Sequence, residues 1–163
     1  MSPTQNAVEI RRANLGHEAA IKSVGILYYI ASVLSFIAAV GSPFDTHEKP
    51  HLRIIIGILM ALLSYAYWKL GEWFRGLNAK ARTPGTILAC FGLLGVPLGT
   101  VISAYVLYLI NSRKGKIVFS DEYKAVVAET PDIAYRISKV VWYLIYFTVA
   151  VIALAILGLI FRR

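Results

Sequence analysis

The chain has 163 residues, of which 58% are hydrophobic and 16% are charged, and its formal net charge is +8. Soluble globular domains average about 45–50% apolar and about 25% charged residues. This composition excludes an ordinary soluble domain and indicates a membrane protein.

Four apolar segments reach, or nearly reach, the length of a membrane-spanning helix. A span needs about 20 residues without charge, and charge-free stretches of that length follow Lys22, Arg82 and Lys139. The stretch between Arg53 and Lys69 is shorter, and it reaches spanning length if the Lys69 ammonium snorkels to the headgroups. The predicted spans are about 23–42, 53–72, 86–110 and 139–161.

The spans are predicted to be helical because none shows the strict alternation of a transmembrane strand. The expected fold is all-α: a polytopic membrane protein with a four-helix transmembrane bundle, forming a single membrane domain over 1–163. Ser120 is the expected N-cap of a short helix that stops before Pro131. Short interfacial amphipathic helices are predicted at about 5–20, 73–82 and 120–129.

Small residues recur along one face of the third predicted span. Gly95, Gly99 and Ser103 are four residues apart, and Pro97 between them should bend the helix. Membrane helices associate closely through small residues, so we interpret this face as a packing seam rather than a ligand or ion site. The first span carries a similar row, which is the expected partner: Ala31, Ser35 and Ala39.

Aromatic and basic residues near the span ends predict the interfacial belts. Lys69, Glu72 and Arg75 are also spaced for weak helical ion pairs. Hydroxyl groups inside the spans, such as those of Ser32 and Ser64, are expected to bond their own helix backbone. The predicted belt residues are Trp68, Lys69, Trp73, Trp142 and Tyr143.

The first loop gathers the only candidate metal ligands that we single out. Asp45, His47 and His51 lie close in sequence, and the histidines have the spacing of two ligands on one helix face. Pro50 between them disfavours a regular helix. A solvated loop is the favoured interpretation, so no metal and no cofactor is predicted.

His17 and Glu18 precede the first span but do not form an H-E-x-x-H motif, because Ile21 stands where the second histidine would be. His17 is expected to bond either headgroups or the third loop. The single cysteine, Cys90, is interpreted as a small buried apolar residue inside the third span.

The distribution of the Lys and Arg residues gives almost no preference for one orientation of the chain in the membrane. With both termini inside and four spans, nine lie inside and eight outside. We expect both termini in the cytoplasm, because Arg162 and Arg163 directly follow the last span and the first loop is poor in Lys and Arg.

Three segments carry a resemblance to known sequences: "HEAAIKSVGILYYI" (17–30), "GVPLGTVISAYVLYLINSRKGKIVFSDEY" (95–123) and "TPDI" (130–133). They resemble segments of small, uncharacterised four-span bacterial inner-membrane proteins. The resemblance implies a bacterial inner-membrane setting and transfers no activity.

The sequence favours a non-enzymatic integral membrane protein that acts by helix packing as a scaffold, assembly factor or accessory subunit. The alternative is a small oligomeric channel or permease for ions or small solutes. A lipid-active enzyme using the loop histidines and acids is the third hypothesis. Expected partners are anionic headgroups and a second copy or another membrane protein. Nucleic acid is not expected, because the basic residues form no single stripe.

Overall fold

The computed structural model describes residues 3–42, 49–95 and 98–133, together with the isolated helical positions 142, 143, 146, 149, 150 and 153. The three continuous ranges contain six α-helices and no β-strand, which confirms the predicted all-α class for that part of the chain. In chain order the helices are α1 (Pro3–Gly41), α2 (Pro50–Arg75), α3 (Arg82–Gly92), α4 (Leu98–Asn111), α5 (Arg113–Val118) and α6 (Asp121–Glu129).

Two of these helices are long and apolar enough to cross a membrane, α1 with 39 residues and α2 with 26. Only 22% of the most apolar window of α1 and 17% of that of α2 is buried inside the protein. The core helix of a soluble protein would bury most of such a window. The fourth predicted span, 139–161, falls outside the described residues except for isolated positions.

The helices α1 and α2 pack against each other as an antiparallel hairpin. They approach closely at Gly25 and Gly71, where a Cβ on either glycine would stand 3.0 Å from the carbonyl oxygen of the other. Further along, the hydroxyl of Ser32 donates to the Ser64 carbonyl and the hydroxyl of Ser64 donates to the Ser32 carbonyl, each at 2.9 Å. Small residues thus bring the two backbones together, as in membrane helix pairs generally.

The predicted interfacial helix at 5–20 and the predicted first span are one continuous helix, α1. No proline interrupts this stretch, and Gly16 lies in open space, so the helix passes through it. The charge-free part of α1, which we treat as the membrane-crossing part, begins after Lys22.

The predicted helix at 73–82 is wrong in its bounds, because α2 ends at Arg75. Leu77 has a φ of 50°, and Asn78 N–H donates to the Trp73 carbonyl at 2.8 Å while Leu77 N–H donates to Phe74 at 3.2 Å. These two bonds form a Schellman motif with leucine in the usual glycine position. Burial of the Leu77 side chain offsets the left-handed conformation, which costs about 1–2 kcal/mol. A single 3₁₀ turn, Ala79–Ala81, then leads into α3.

The third predicted span, 86–110, is not one helix but a hairpin of α3 and α4. A Cβ on Gly85 would lie 3.2 Å from Ile110 Cδ1, although 25 residues of continuous helix would separate them by about 38 Å. Nearer the turn, Gly92 packs directly on Ser103, and the Thr100 hydroxyl donates to the Leu93 carbonyl at 2.7 Å. The glycines therefore reverse the chain rather than bend one helix.

Beyond α4, the short helices α5 and α6 pack against both hairpins, beside the end of α2 and the end of α4. The Phe74 and Phe119 rings meet edge to face at 5.8 Å, and Ile21, Ile110 and Tyr123 are fully buried beside them. The predicted helix at 120–129 is confirmed as α6: the Ser120 hydroxyl accepts from Tyr123 N–H at 3.2 Å, and the helix stops two residues before Pro131. Its apolar face packs on the bundle.

Candidate functional site

Glu18 is the centre of a buried polar cluster at the base of α1. Its side chain is completely inaccessible, although it carries a carboxylate. Lys22 Nζ donates to one carboxylate oxygen at 2.7 Å and the Tyr123 hydroxyl donates to the other at 3.0 Å. The Arg11 guanidinium adds two longer bonds of 3.4 Å. We call Arg11, Glu18, Lys22, Tyr123 and Thr130 the Glu18 cluster.

Arg11 extends this cluster to the end of α6. Its terminal nitrogen Nη1 donates to the Thr130 carbonyl, to the Thr130 hydroxyl at 3.0 Å and to the Val127 carbonyl at 3.4 Å. These carbonyls lie at the C-terminal end of α6, where the negative end of the helix dipole attracts a cation. One guanidinium therefore ties α1 to α6.

The charges in the cluster decide the protonation of Glu18. Burial opposes its ionised form, but Lys22, Arg11 and the Tyr123 hydroxyl outweigh burial and hold the pKa below its ordinary value. Burial, and then the adjacent carboxylate, raise the pKa of Tyr123. Glu18 is thus an anion at neutral pH and Tyr123 is a neutral donor. Two cations and one anion give the cluster a net positive charge.

His17 lies one residue before Glu18 and bonds the end of α4. Its Nε2 is 2.9 Å from the Leu109 carbonyl and 3.2 Å from the Ser112 hydroxyl. A carbonyl can only accept, so Nε2 carries the proton. Of the two expected roles for His17, bonding to headgroups or to the third loop, the structure shows the second.

The predicted packing seam has a different partner from the expected one. Gly99 and Ser103 face Gly92 of α3, where a Cβ on Gly99 would stand 2.7 Å from the Gly92 carbonyl oxygen. A Cβ on Gly95 would meet Gly99 Cα at 3.4 Å. The seam therefore closes the α3–α4 hairpin, because the chain reverses between them. Pro97 lies outside the described residues.

The small residues of α1 that are predicted to pack on this seam have different surroundings from one another. Ala31 lines a cavity of about 540 Å³ between α1, α2, α3 and α4. The Ala39 carbonyl lies 3.4 Å from a Cβ built on Gly57 of α2. Ser35 is half-buried. The cavity walls are mostly apolar, with Leu63 and Leu88 among them.

The predicted belt residues differ in their surroundings. Trp68, Trp142 and Tyr143 are exposed, whereas Trp73 is partly buried against the core. Lys69 Nζ donates to Glu72 at 3.0 Å, as predicted for that pair, and the Arg75 guanidinium lies 5.9 Å from the centre of the Tyr29 ring.

The expectation that the in-span serines bond their own helices is wrong for Ser32 and Ser64. Their hydroxyls bond across the α1–α2 interface, because the small side chains let the helices approach within hydrogen-bonding distance.

Only one of the three candidate metal ligands, His51, lies among the described residues. His51 is exposed in the first turn of α2, and Asp45 and His47 lie outside the described residues. Among the described residues no three His, Cys, Asp or Glu side chains form a group that could hold a metal ion. Cys90 is an exposed free thiol on α3 rather than a buried apolar residue.

Sequence reasoning missed the Glu18 cluster because its members are far apart. Tyr123 and Thr130 are 105 and 119 positions away from the residues they bond, and no local pattern links them. The one local signal is the Glu18–Lys22 spacing, since Glu four residues before Lys favours a helical ion pair.

Comparison with protein-family models, curated proteins and solved structures finds no match.

Proposed function

We propose that this protein is a non-enzymatic integral membrane protein that acts by helix packing, as a scaffold, assembly factor or accessory subunit. The observation that carries the proposal is the Glu18 cluster. Its charged and polar groups bond one another and the end of α6, and so fix the helical cap α5–α6 to the long hairpin α1–α2. A cap held to the hairpin in this way offers a fixed surface on which other membrane helices can pack.

The far half of the α1–α2 hairpin supports the same function. Large apolar side chains there point outward, among them Phe36 at 58% and Leu59 at 56% exposure. Surfaces of this kind pack against lipid or against another membrane helix. The partners we propose are anionic lipid and either a second copy or another membrane protein. The proposed setting is the bacterial inner membrane, which the resemblance implies, with the N-terminus in the cytoplasm.

The test is gentle-detergent extraction from native membranes, followed by native mass spectrometry of the intact complex. Recovery with a foreign subunit in fixed stoichiometry supports the proposal. Phe36→Ala and Leu59→Ala should then release that subunit, and Ile87→Ala, on the exposed side of α3, should retain it. A closed homo-oligomer with lipid alone, together with solute flux in reconstituted vesicles, would contradict the proposal and favour a channel or permease.

A further inference from the structure

The α3–α4 hairpin is too short in each limb to cross a bilayer. With 11 and 14 residues, the limbs are about 16 and 21 Å long, whereas the hydrocarbon core is about 30 Å thick. The contact between Gly85 and Ile110 keeps the two open ends of the hairpin together. A hairpin of this kind returns to the face from which it enters.

The cavity between the α3–α4 hairpin and the long helices α1 and α2 indicates how deep the hairpin reaches into the bilayer. Ala31 and Leu63 line that cavity together with Gly92, which is next to the turn. Ala31 is nine residues beyond Lys22, or about 14 Å along α1. The turn therefore lies near the middle of a bilayer that begins at Lys22.

The described backbone on either side of positions 96 and 97 is bonded locally, as a chain reversal in an apolar medium requires. Leu94 N–H donates to Phe91 at 3.1 Å and Gly95 N–H donates to Gly92 at 3.1 Å. The Gly99 N–H donates to the Gly95 carbonyl at 2.6 Å. The Thr100 hydroxyl donates to the Leu93 carbonyl.

We infer that α3–α4 is a re-entrant hairpin, which puts the first half of α1, the end of α2, α5 and α6 at one membrane face, where their basic side chains bind the anionic phospholipid headgroups of that leaflet. This inference rests on the membrane embedding of α1 and α2 in the proposed function. It goes beyond that function in making the third apolar segment re-entrant and in naming the face and the side chains that bind the lipid.

The distribution of charge favours this arrangement over four spans. Among the described Lys and Arg residues, a crossing third segment would leave seven on one face and six on the other. A re-entrant one leaves only Lys49 and Arg53, of the described Lys and Arg residues, at the far end of the α1–α2 hairpin. The positive-inside rule then selects the other face as cytoplasmic. That face carries Arg11, Arg12, Lys22, Lys69, Arg75, Lys80, Arg82, Arg113, Lys114, Lys116 and Lys124.

The headgroup-binding surface is formed where α5 lies beside α1. Arg113, Lys114 and Lys116 are exposed on α5, and Arg12 is exposed on α1. Lys114 Nζ is 3.4 Å from the Ala13 carbonyl, so the exposed cations of α5 lie close to Arg12 of α1. Phosphate groups of anionic lipids attract such a cluster with about 1 kcal/mol per cation near the surface.

Sidedness is tested with single cysteines in a Cys90→Ala background and a membrane-impermeant maleimide, applied to right-side-out and inside-out vesicles. Lys80→Cys and Lys114→Cys flank the hairpin, and Lys49→Cys marks the opposite end of α1–α2. We expect residues 80 and 114 to label only in inside-out vesicles and residue 49 only in right-side-out vesicles. Labelling of 80 and 114 from opposite faces would overturn the inference. Release of the protein from membranes by carbonate would instead refute the proposed function.

Lipid binding is tested in nanodiscs with phosphatidylglycerol and phosphatidylcholine, by native mass spectrometry of the lipids that stay on the released protein. The triple variant Arg113→Gln/Lys114→Gln/Lys116→Gln should lower the ratio of bound anionic to zwitterionic lipid by about fivefold for each cation in contact. The control Lys49→Gln should leave it unchanged. An unchanged ratio in the triple variant would overturn the assigned lipid partner.

Discussion

At the scale of single residues, the main finding is a carboxylate with no accessible surface at the point where α1 enters its apolar half. A buried charge is tolerated only when it is paired and hydrogen-bonded. Glu18 meets both conditions, because cations from its own helix and a phenol from α6 surround it. Removing the anion would leave Arg11 and Lys22 close together without the carboxylate that neutralises one of their two charges.

We predict that Glu18→Gln destabilises the protein by about 3 kcal/mol or more, as loss of one partner from a buried ion pair does. The melting temperature in detergent should fall by roughly 6–12 °C. Glu72→Gln is the matched control, because the Lys69–Glu72 pair is exposed, and it should melt like the wild type. Equal melting of all three proteins would contradict a structural role for the cluster.

The lowered pKa of Glu18 predicts a pH dependence of stability. The folded state binds this proton less readily than the unfolded state, so the stabilisation is present above the ordinary carboxyl pKa and is lost as the pH falls through the folded pKa. Melting temperatures from about pH 7 to about pH 3 measure this loss. The difference between wild type and Glu18→Gln should shrink at the acid end. A difference that is constant with pH would show that Glu18 is not an anion in the fold.

The paired hydroxyls of Ser32 and Ser64 allow a third prediction. Ser32→Ala should destabilise the α1–α2 hairpin by about 0.6–2 kcal/mol, because each hydroxyl donates across the interface in an apolar environment. Ser23→Ala is the control, since that hydroxyl bonds Ala19 of its own helix. Thermal melting of both variants measures the contrast, and a larger loss for Ser23→Ala would argue against the cross-helix pair.

At the scale of helices, glycine packing decides which elements meet. Gly25 and Gly71 set the approach of α1 to α2, and Gly92 and Gly99 set that of α3 to α4. In both places a side chain would press on a backbone carbonyl, which cannot rotate away. Loss of the close approach would open the hairpin concerned.

Two glycine-to-alanine substitutions, one at a close helix contact and one in open space, test the role of glycine packing. Gly99→Ala puts a Cβ 2.7 Å from the Gly92 carbonyl oxygen and should cost about 1–3 kcal/mol. Gly16→Ala meets nothing within 4 Å and should stabilise α1 by up to about 1 kcal/mol. The two variants should shift the melting temperature in opposite directions. A stabilising Gly99→Ala would contradict the packing of α3 on α4.

Helix bounds were predictable where the stop and start signals are local. Ser120 as N-cap and Pro131 as terminator fix α6, and the structure has both. The end of α2 was not predictable, because it depends on Leu77 in a left-handed conformation that only burial in the finished core supports.

At the scale of the whole molecule, hydropathy predicts which segments of the chain are apolar. It does not predict whether such a segment continues in one direction or turns back on itself. Gly95 and Gly99 in a long apolar run are typical both of a bent span and of a reversal, and only contacts across the fold, such as that of Gly85 with Ile110, distinguish them. The Glu18 cluster escaped prediction for a related reason, since its partners meet only after α3 and α4 have turned back. Once that turn exists, the N-terminal part of α1 and the α5–α6 cap lie side by side.

The reversal at Gly92–Gly95 is the central claim, and one distance tests it most directly. Spin labels at Thr83→Cys and Asn111→Cys, in a Cys90→Ala background in nanodiscs, would be read by double electron–electron resonance. The hairpin predicts a separation below about 25 Å, because Gly85 and Ile110 are in contact and each label is within about 3 Å of helix rise from them. A single continuous helix between those sites would give about 42 Å, and that result would contradict the account.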